Sequence, residues 1–108
     1  DPDVAARAGR ILGFIHRETR GSDDLRRAFD TTQNFHDLRL DAYLLTTGRR
    51  HPDLEAIFCA EADRIRTTRE CLVHGDYSPK NMLVRGDRLV VLDCEVAWFG
   101  DPRFDLAF

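Results

Sequence analysis

Asp76, Asn81 and Asp93 are the residues of this chain whose types and spacing suit a common chemistry. Asp76 and Asn81 lie five residues apart in the polar run His74-Gly75-Asp76-Tyr77-Ser78-Pro79-Lys80-Asn81. Asp93 follows two short β-prone runs, Met82-Leu83-Val84 and Leu89-Val90-Val91-Leu92, separated by Arg85-Gly86-Asp87-Arg88. Those runs read as a hairpin with glycine at its turn. With Asp87 at the centre of a three-residue turn, Arg85 pairs with Leu89, Val84 with Val90 and Met82 with Leu92. The same register sets Asn81 opposite Asp93, just outside the ladder. Directly opposed residues hold their Cβ atoms about 4.5–5.5 Å apart. An amide oxygen and a carboxylate so placed could share one hard cation such as Mg²⁺, which prefers oxygen ligands.

Two carboxylates and an amide around a hairpin mouth suit phosphoryl transfer. A metal neutralises phosphate oxygens there, and a separate carboxylate receives or orients the proton of an attacking hydroxyl. Asp and Asn are also ordinary turn residues, so either one alone signifies little. Their combination at this spacing, ahead of a hairpin that ends in Asp93, carries the weight.

The remaining elements must hold that loop. Val4, Ala8, Ile11, Leu12 and Ile15 form one apolar stripe, predicting a first helix that Asp3 could cap. Gly21-Ser22 breaks it, and Ser22 can cap a short turn through Leu25, Ala28 and Phe29. A second helix is expected from about Phe35 to Thr47, with Leu38, Ala42 and Leu45 on its buried face and Gly48 as its stop. A third begins at Pro52, buries Leu54, Ile57, Phe58, Ala62 and Ile65, and ends near Thr68. Cys71-Leu72-Val73 is a short apolar run. Gly100-Asp101-Pro102 turns into a last helix. Trp98 and Phe99 read as core or lobe packing rather than as a stacking platform for substrate.

Composition sets outer limits. The chain has 108 residues, 43% hydrophobic and 32% charged, which is too apolar for disorder. No run is long and apolar enough for a membrane span, and the first residues lack a signal-peptide pattern. A net charge of −3 argues against a dedicated nucleic-acid binder. The basic residues are 15 arginines and a single lysine, Lys80, so any chemistry needing lysine must use it. Cys59, Cys71 and Cys94 show no C-x-x-C spacing and are expected to be buried free thiols of a cytoplasmic protein.

The segments His74-Gly75-Asp76, Asn81, Leu92-Asp93-Cys94-Glu95 and Gly100-Asp101-Pro102-Arg103-Phe104-Asp105-Leu106-Ala107 together resemble the aminoglycoside phosphotransferase and choline kinase-like family, small-molecule relatives of the protein kinases. The resemblance covers about residues 72–108. It implies an α+β fold, a protein-kinase-like C-terminal lobe that is mostly helical with a small β-hairpin carrying the metal site. It implies Asp76 as catalytic base, and Asn81 and Asp93 as Mg²⁺ ligands that bind the ATP phosphates. Lys80 is either a phosphate contact or a solvated loop lysine. His74 would order the loop. Asp105 resembles the carboxylate that accepts hydrogen bonds from the loop backbone, although a plain Asp in the first turn of a helix reads the same way. Glu95 resembles an acidic residue that follows the metal-binding Asp, touching metal or substrate.

The function expected is ATP- and Mg²⁺-dependent transfer of the γ-phosphate to a hydroxyl of a small molecule: an aminoglycoside, a choline-like compound or a sugar. Neither nucleic acid nor membrane is expected as a partner. An inactive kinase-like protein that binds nucleotide or a partner is the alternative. A metal-dependent hydrolase is the third, but His16, His36 and His51 have no ligand spacing. Cys94 departs from the bulky residue common at its position. No glycine-rich loop and no lysine precede the catalytic-type loop. Residues 1–108 are therefore expected to be a partial C-terminal lobe, with an ATP-covering lobe and further C-terminal helices lying outside them. Such a piece is expected to be inactive alone and to expose apolar surface.

Overall fold

The computed structural model describes all residues from 1 to 108. Helix α1 (Pro2–Thr19) is capped by Asp1, which accepts a hydrogen bond from the Asp3 amide, so Asp3 lies inside the first turn and is not the cap. The apolar stripe read from the sequence is its covered face. Leu12 is buried on it, and one turn further so is His16. Ser22 caps α2 (Asp23–Ala28), its hydroxyl accepting from Leu25 N–H at 3.3 Å.

The second long helix departs from expectation. It runs without a break through α3 (Thr32–Phe35), a π-helical stretch (His36–Leu45) and α4 (Thr46–Arg50). A π-turn bonds residues five apart, and the buried residues here, Phe35 and Leu40 with the partly buried Leu45, are spaced by five. The expected face rested on a 3.6-residue period, and Leu38 and Ala42 accordingly lie exposed. Gly48 is not the stop. It is buried inside α4, where a Cβ would stand 3.1 Å from Phe58 Cβ, so its smallness lets α5 pack closely. Helix α5 (Glu55–Thr67) starts three residues after Pro52 and buries Ala62 and Ile65, leaving Leu54 and Ile57 in solvent.

Two antiparallel strand pairs follow. Strand β1 (Cys71–Val73) pairs with β4 (Trp98–Gly100), and β2 (Met82–Arg85) with β3 (Arg88–Val91). The hairpin register differs by one from the expected one. Met82 faces Val91, Val84 faces Leu89 and Arg85 faces Arg88, so the turn has two residues, Gly86-Asp87. Gly86 adopts φ 60°, the left-handed conformation that a tight turn between right-twisted strands demands at its first central position. Asn81 is consequently opposite Leu92, whose N–H donates to the Asn81 carbonyl at 2.8 Å, and Asp93 lies one residue beyond. The hairpin displays Leu83 and Val90 side by side, 59% and 51% exposed.

The core gathers Phe35, Leu40, Ala62, Ile65 and Trp98, with Leu44, Leu45 and Phe104 against it. Phe35 stacks on Trp98 with ring centres 4.3 Å apart and meets Phe104 edge-on at 4.9 Å. Trp98 and Phe99 are fully buried, as core packing requires. Of the three free cysteines only Cys71 is buried, and burial pushes its thiol up to about 11. Cys59 and Cys94 are exposed, which corrects the expectation of buried thiols. No helix is long and apolar enough to cross a membrane. The architecture is α+β, mostly helical with two small sheets.

Candidate functional site

The loop from His74 to Asn81 is suspended between β1 and β2 and is clamped on several sides. Gly75 sits at φ 83°, and a Cβ there would come within 2.7 Å of the Val96 carbonyl oxygen, so only glycine fits. Its N–H donates to Asp105 Oδ1 and the His74 N–H to Asp105 Oδ2, both at 2.9 Å. Its carbonyl accepts from Arg39 Nε at 2.6 Å. His74 spends both ring nitrogens on the local frame: Nδ1 accepts from Asp76 N–H at 3.2 Å, and Nε2 donates to the Leu92 carbonyl at 2.9 Å. Tyr77 ties the loop to α1, its hydroxyl donating to the Ala8 carbonyl at 2.7 Å.

This frame leaves Asp76 in an asymmetric position. Oδ2 takes the Asn81 amide at 2.9 Å and the Lys80 ammonium at 2.9 Å, with Arg39 Nη2 at 3.5 Å. Oδ1 is buried and has no partner. Burial is the strongest single influence on this carboxyl and would raise its pKa. Lys80, Asn81 and Arg39 together outweigh it and hold the group below the usual aspartate range. Asp76 is therefore an anion at neutral pH with one oxygen neutralised and the other free.

Asn81 closes the short 3₁₀ turn (Pro79–Asn81) and is buried. Its amide nitrogen is committed twice to Asp76, to the backbone carbonyl and to Oδ2, leaving its amide oxygen without a protein donor. Asp93 is exposed at φ 61°, where the chain leaves the ladder, and its carboxylate carries no protein partner. The structure thus brings Asp76, Asn81, Lys80, His74 and Asp105 together. Asp93 stands at the end of the strand facing Asn81, displaced by one residue from the predicted register. Glu95 is exposed, and only its backbone takes part in a contact, accepting from Asn34 Nδ2 at 3.0 Å.

No three His, Cys, Asp or Glu side chains converge as a metal cluster. The donor set of Asn81 and Asp93 is nonetheless of the kind Mg²⁺ uses: two oxygen-bearing side chains without competing protein partners, with the remaining positions left to water and phosphate. The residues fit that ion.

Three contributors escaped the sequence reading. Arg39 is one arginine among fifteen, and no spacing distinguishes it. Tyr77 acts through its hydroxyl alone. His16 was discounted because it has no metal-ligand spacing, yet it continues the apolar stripe of α1 one turn past Leu12, and that placement was the available signal. The predicted Asp105 contact is present in detail, with both carboxylate oxygens used.

A family model described as APH, phosphotransferase enzyme family, matches residues 1–108. The chain belongs to that family, and membership implies a kinase-like fold and phosphotransferase chemistry in general. Comparison with curated proteins and with solved structures gave no match.

Proposed function

We propose that this chain carries the loop and hairpin of an ATP- and Mg²⁺-dependent phosphotransferase that moves the γ-phosphate to a hydroxyl of a small molecule, with an aminoglycoside, a choline-like compound or a sugar as acceptor. The observation that carries the reading is the asymmetry of Asp76. A buried carboxylate oxygen with no partner is costly to leave so, and a substrate hydroxyl would supply the missing donor.

In this reading Asp76 Oδ1 accepts the hydrogen bond of the acceptor hydroxyl and aims its oxygen at phosphorus. Because its pKa is lowered, Asp76 is a weak base and takes the proton only as the new O–P bond forms. That suits a loose transition state in which positioning and charge stabilisation dominate. Asn81 Oδ1 and the Asp93 carboxylate would hold Mg²⁺, which supplies neutralisation of the phosphate oxygens. Lys80 keeps a positive charge beside Asp76 and forms part of the nucleotide site. His74 and Asp105 hold the loop, and Glu95 sits two residues beyond Asp93 on the exposed side. Residues 1–108 then serve as part of a C-terminal lobe, with ATP covered by residues outside it.

The test is thermal melting with ATP, with and without Mg²⁺, of the parent protein that includes the ATP-covering residues, and of its Asp93→Ala variant. Ligand at 100 times its Kd stabilises a native state by about 2.7 kcal/mol, a shift of a few degrees or more. The expected result is a Mg²⁺-dependent rise that Asp93→Ala abolishes. Acceptor screening then follows, with Asp76→Asn expected to retain the rise and lose transfer. Absence of any nucleotide-dependent rise in the wild-type parent protein overturns the reading.

A further inference from the structure

The His74 and Gly75 amides end on Asp105, which in turn accepts from His16 Nε2 at 2.9 Å. The next peptide unit, the Gly75 carbonyl with the Asp76 N–H, is held from another direction. Its N–H donates to His74 Nδ1 at 3.2 Å, a contact inside the loop that moves with the loop. Its carbonyl accepts from Arg39 Nε at 2.6 Å, and this bond ties the peptide to a distant element. The same guanidinium brings Nη2 to 3.5 Å from Asp76 Oδ2. One planar group thus touches the backbone just before Asp76 and the carboxylate itself. Nε and Nη2 form one edge of a rigid fork, so neither contact shifts without the other.

Arg39 is itself fixed. It stands in the π-helical stretch beside buried Leu40, and its side chain is 12% exposed. Nη1 donates to the Leu38 carbonyl at 2.9 Å. The guanidinium carbon lies 5.2 Å from the Phe108 ring centre and 5.9 Å from that of Tyr43. Lys80 shares Oδ2, but its side chain is 68% exposed and belongs to the loop being positioned. Lys80 is free to leave for a phosphate, whereas Arg39 is held on several sides.

We propose that Arg39 is a positioning residue: its Nε–Nη2 edge fixes the Gly75–Asp76 peptide and occupies Asp76 Oδ2, so that Oδ1 stays turned to the acceptor hydroxyl. Positive charge alone does not suffice, because two points must be held at once. The contacts of Arg39 include none to Lys80, Asn81 or Asp93, so its effect falls on kcat and not on ATP binding. This inference deepens the phosphotransferase reading and rests on it for the turnover part only.

The experiment compares the wild-type parent protein with Arg39→Met, which keeps the stem, and Arg39→Lys, which keeps the charge but has one nitrogen for two contacts. Amide hydrogen exchange is followed at Asp76, and turnover is followed as phosphate released from MgATP with water as acceptor. Arg39→Met should exchange the Asp76 amide at least about tenfold faster, with α5 and β4 unchanged. Its kcat should fall about tenfold at an unaltered KM for ATP, and Arg39→Lys should regain no more than about threefold of that loss. If Arg39→Met does not fold, Arg39→Gln replaces it, being planar and uncharged but too short to reach the loop.

Unchanged exchange at Asp76 in a folded variant that lacks the guanidinium overturns the proposal. Exchange that quickens equally in α5 and β4 marks a general loss of stability and overturns it too. So does an Arg39→Lys protein that turns over at the wild-type rate, since charge alone then suffices. A rise in KM for ATP with kcat intact overturns the assignment to positioning. A wild-type protein that turns over no ATP sinks the phosphotransferase reading, and exchange at Asp76 then decides the role of Arg39 by itself.

Discussion

The Asn81 amide nitrogen donates twice to Asp76, to its backbone carbonyl and to its Oδ2, each at 2.9 Å. This pair closes the loop on itself and decides which oxygen of Asp76 stays free. Replacing Asn81 with Asp puts a second carboxylate where a donor stood. Two carboxylates this close resist joint ionisation, so the Asp76 carboxyl is driven upward. A raised carboxyl pKa places the penalty above that pKa and relieves it as protons bind. The variant should lose about 1–3 kcal/mol at pH 7 relative to wild type and recover part of it near pH 5. Urea melts of both proteins at the two pH values measure this.

Gly75 offers a sharper test of the loop's shape. Gly75→Ala adds a Cβ at a left-handed φ and within 2.7 Å of the Val96 oxygen. Strain and overlap together should cost at least about 2 kcal/mol, a fall in Tm of roughly 8 °C or more. Thermal melting followed by circular dichroism reads it.

Acid stability should report Asp101. Its side chain is fully buried, and burial, the largest influence, works to raise its pKa. Hydrogen bonds from Arg103 at 2.9 Å and Arg64 at 2.7 Å outweigh that and hold it below the ordinary aspartate value. A lowered folded pKa means the unfolded chain binds the proton more readily. The stabilisation is therefore complete above about pH 4 and lost as pH falls through the folded value. The Tm difference between wild type and Asp101→Asn should be widest above about pH 4 and narrow below it. A gap that widens on acidification contradicts the assignment.

The π-helical stretch makes two leucines near each other in sequence energetically unlike. Leu40 is 1% exposed in the core, and Leu38 is 42% exposed. Leu40→Ala should cost about 2–5 kcal/mol, and Leu38→Ala at most about 0.5 kcal/mol. Denaturant midpoints of the two variants settle which face the helix buries. A larger cost at Leu38 than at Leu40 would point back to the face expected from a 3.6-residue period.

Local chemistry was readable from the residues themselves. The stripe of α1, the cap at Ser22 and the existence of the hairpin all follow from short-range pattern, because neighbours in sequence alone determine them. The contact between Asp105 and the loop was also expected, from the resemblance and not from spacing. Register was not readable: whether the hairpin turned on two residues or three depended on the backbone of Gly86, and a slip of one moved the partner of Asn81 from Asp93 to Leu92. The widened helical turn after Phe35 likewise left no mark in apolar periodicity, since it changes the period itself.

What the sequence determined by itself was the set of groups, an acid and an amide five residues apart and a second acid beyond a hairpin, together with the family they signal. Tertiary structure decided which of them are buried, which oxygen of Asp76 is free, and which distant side chains hold the loop. Arg39 lies 37 residues from Asp76, Tyr77 lies 69 from its anchor Ala8, and His16 lies 89 from Asp105. Over such separations only packing brings groups within hydrogen-bond distance, and the frame of the site is a property of the folded chain.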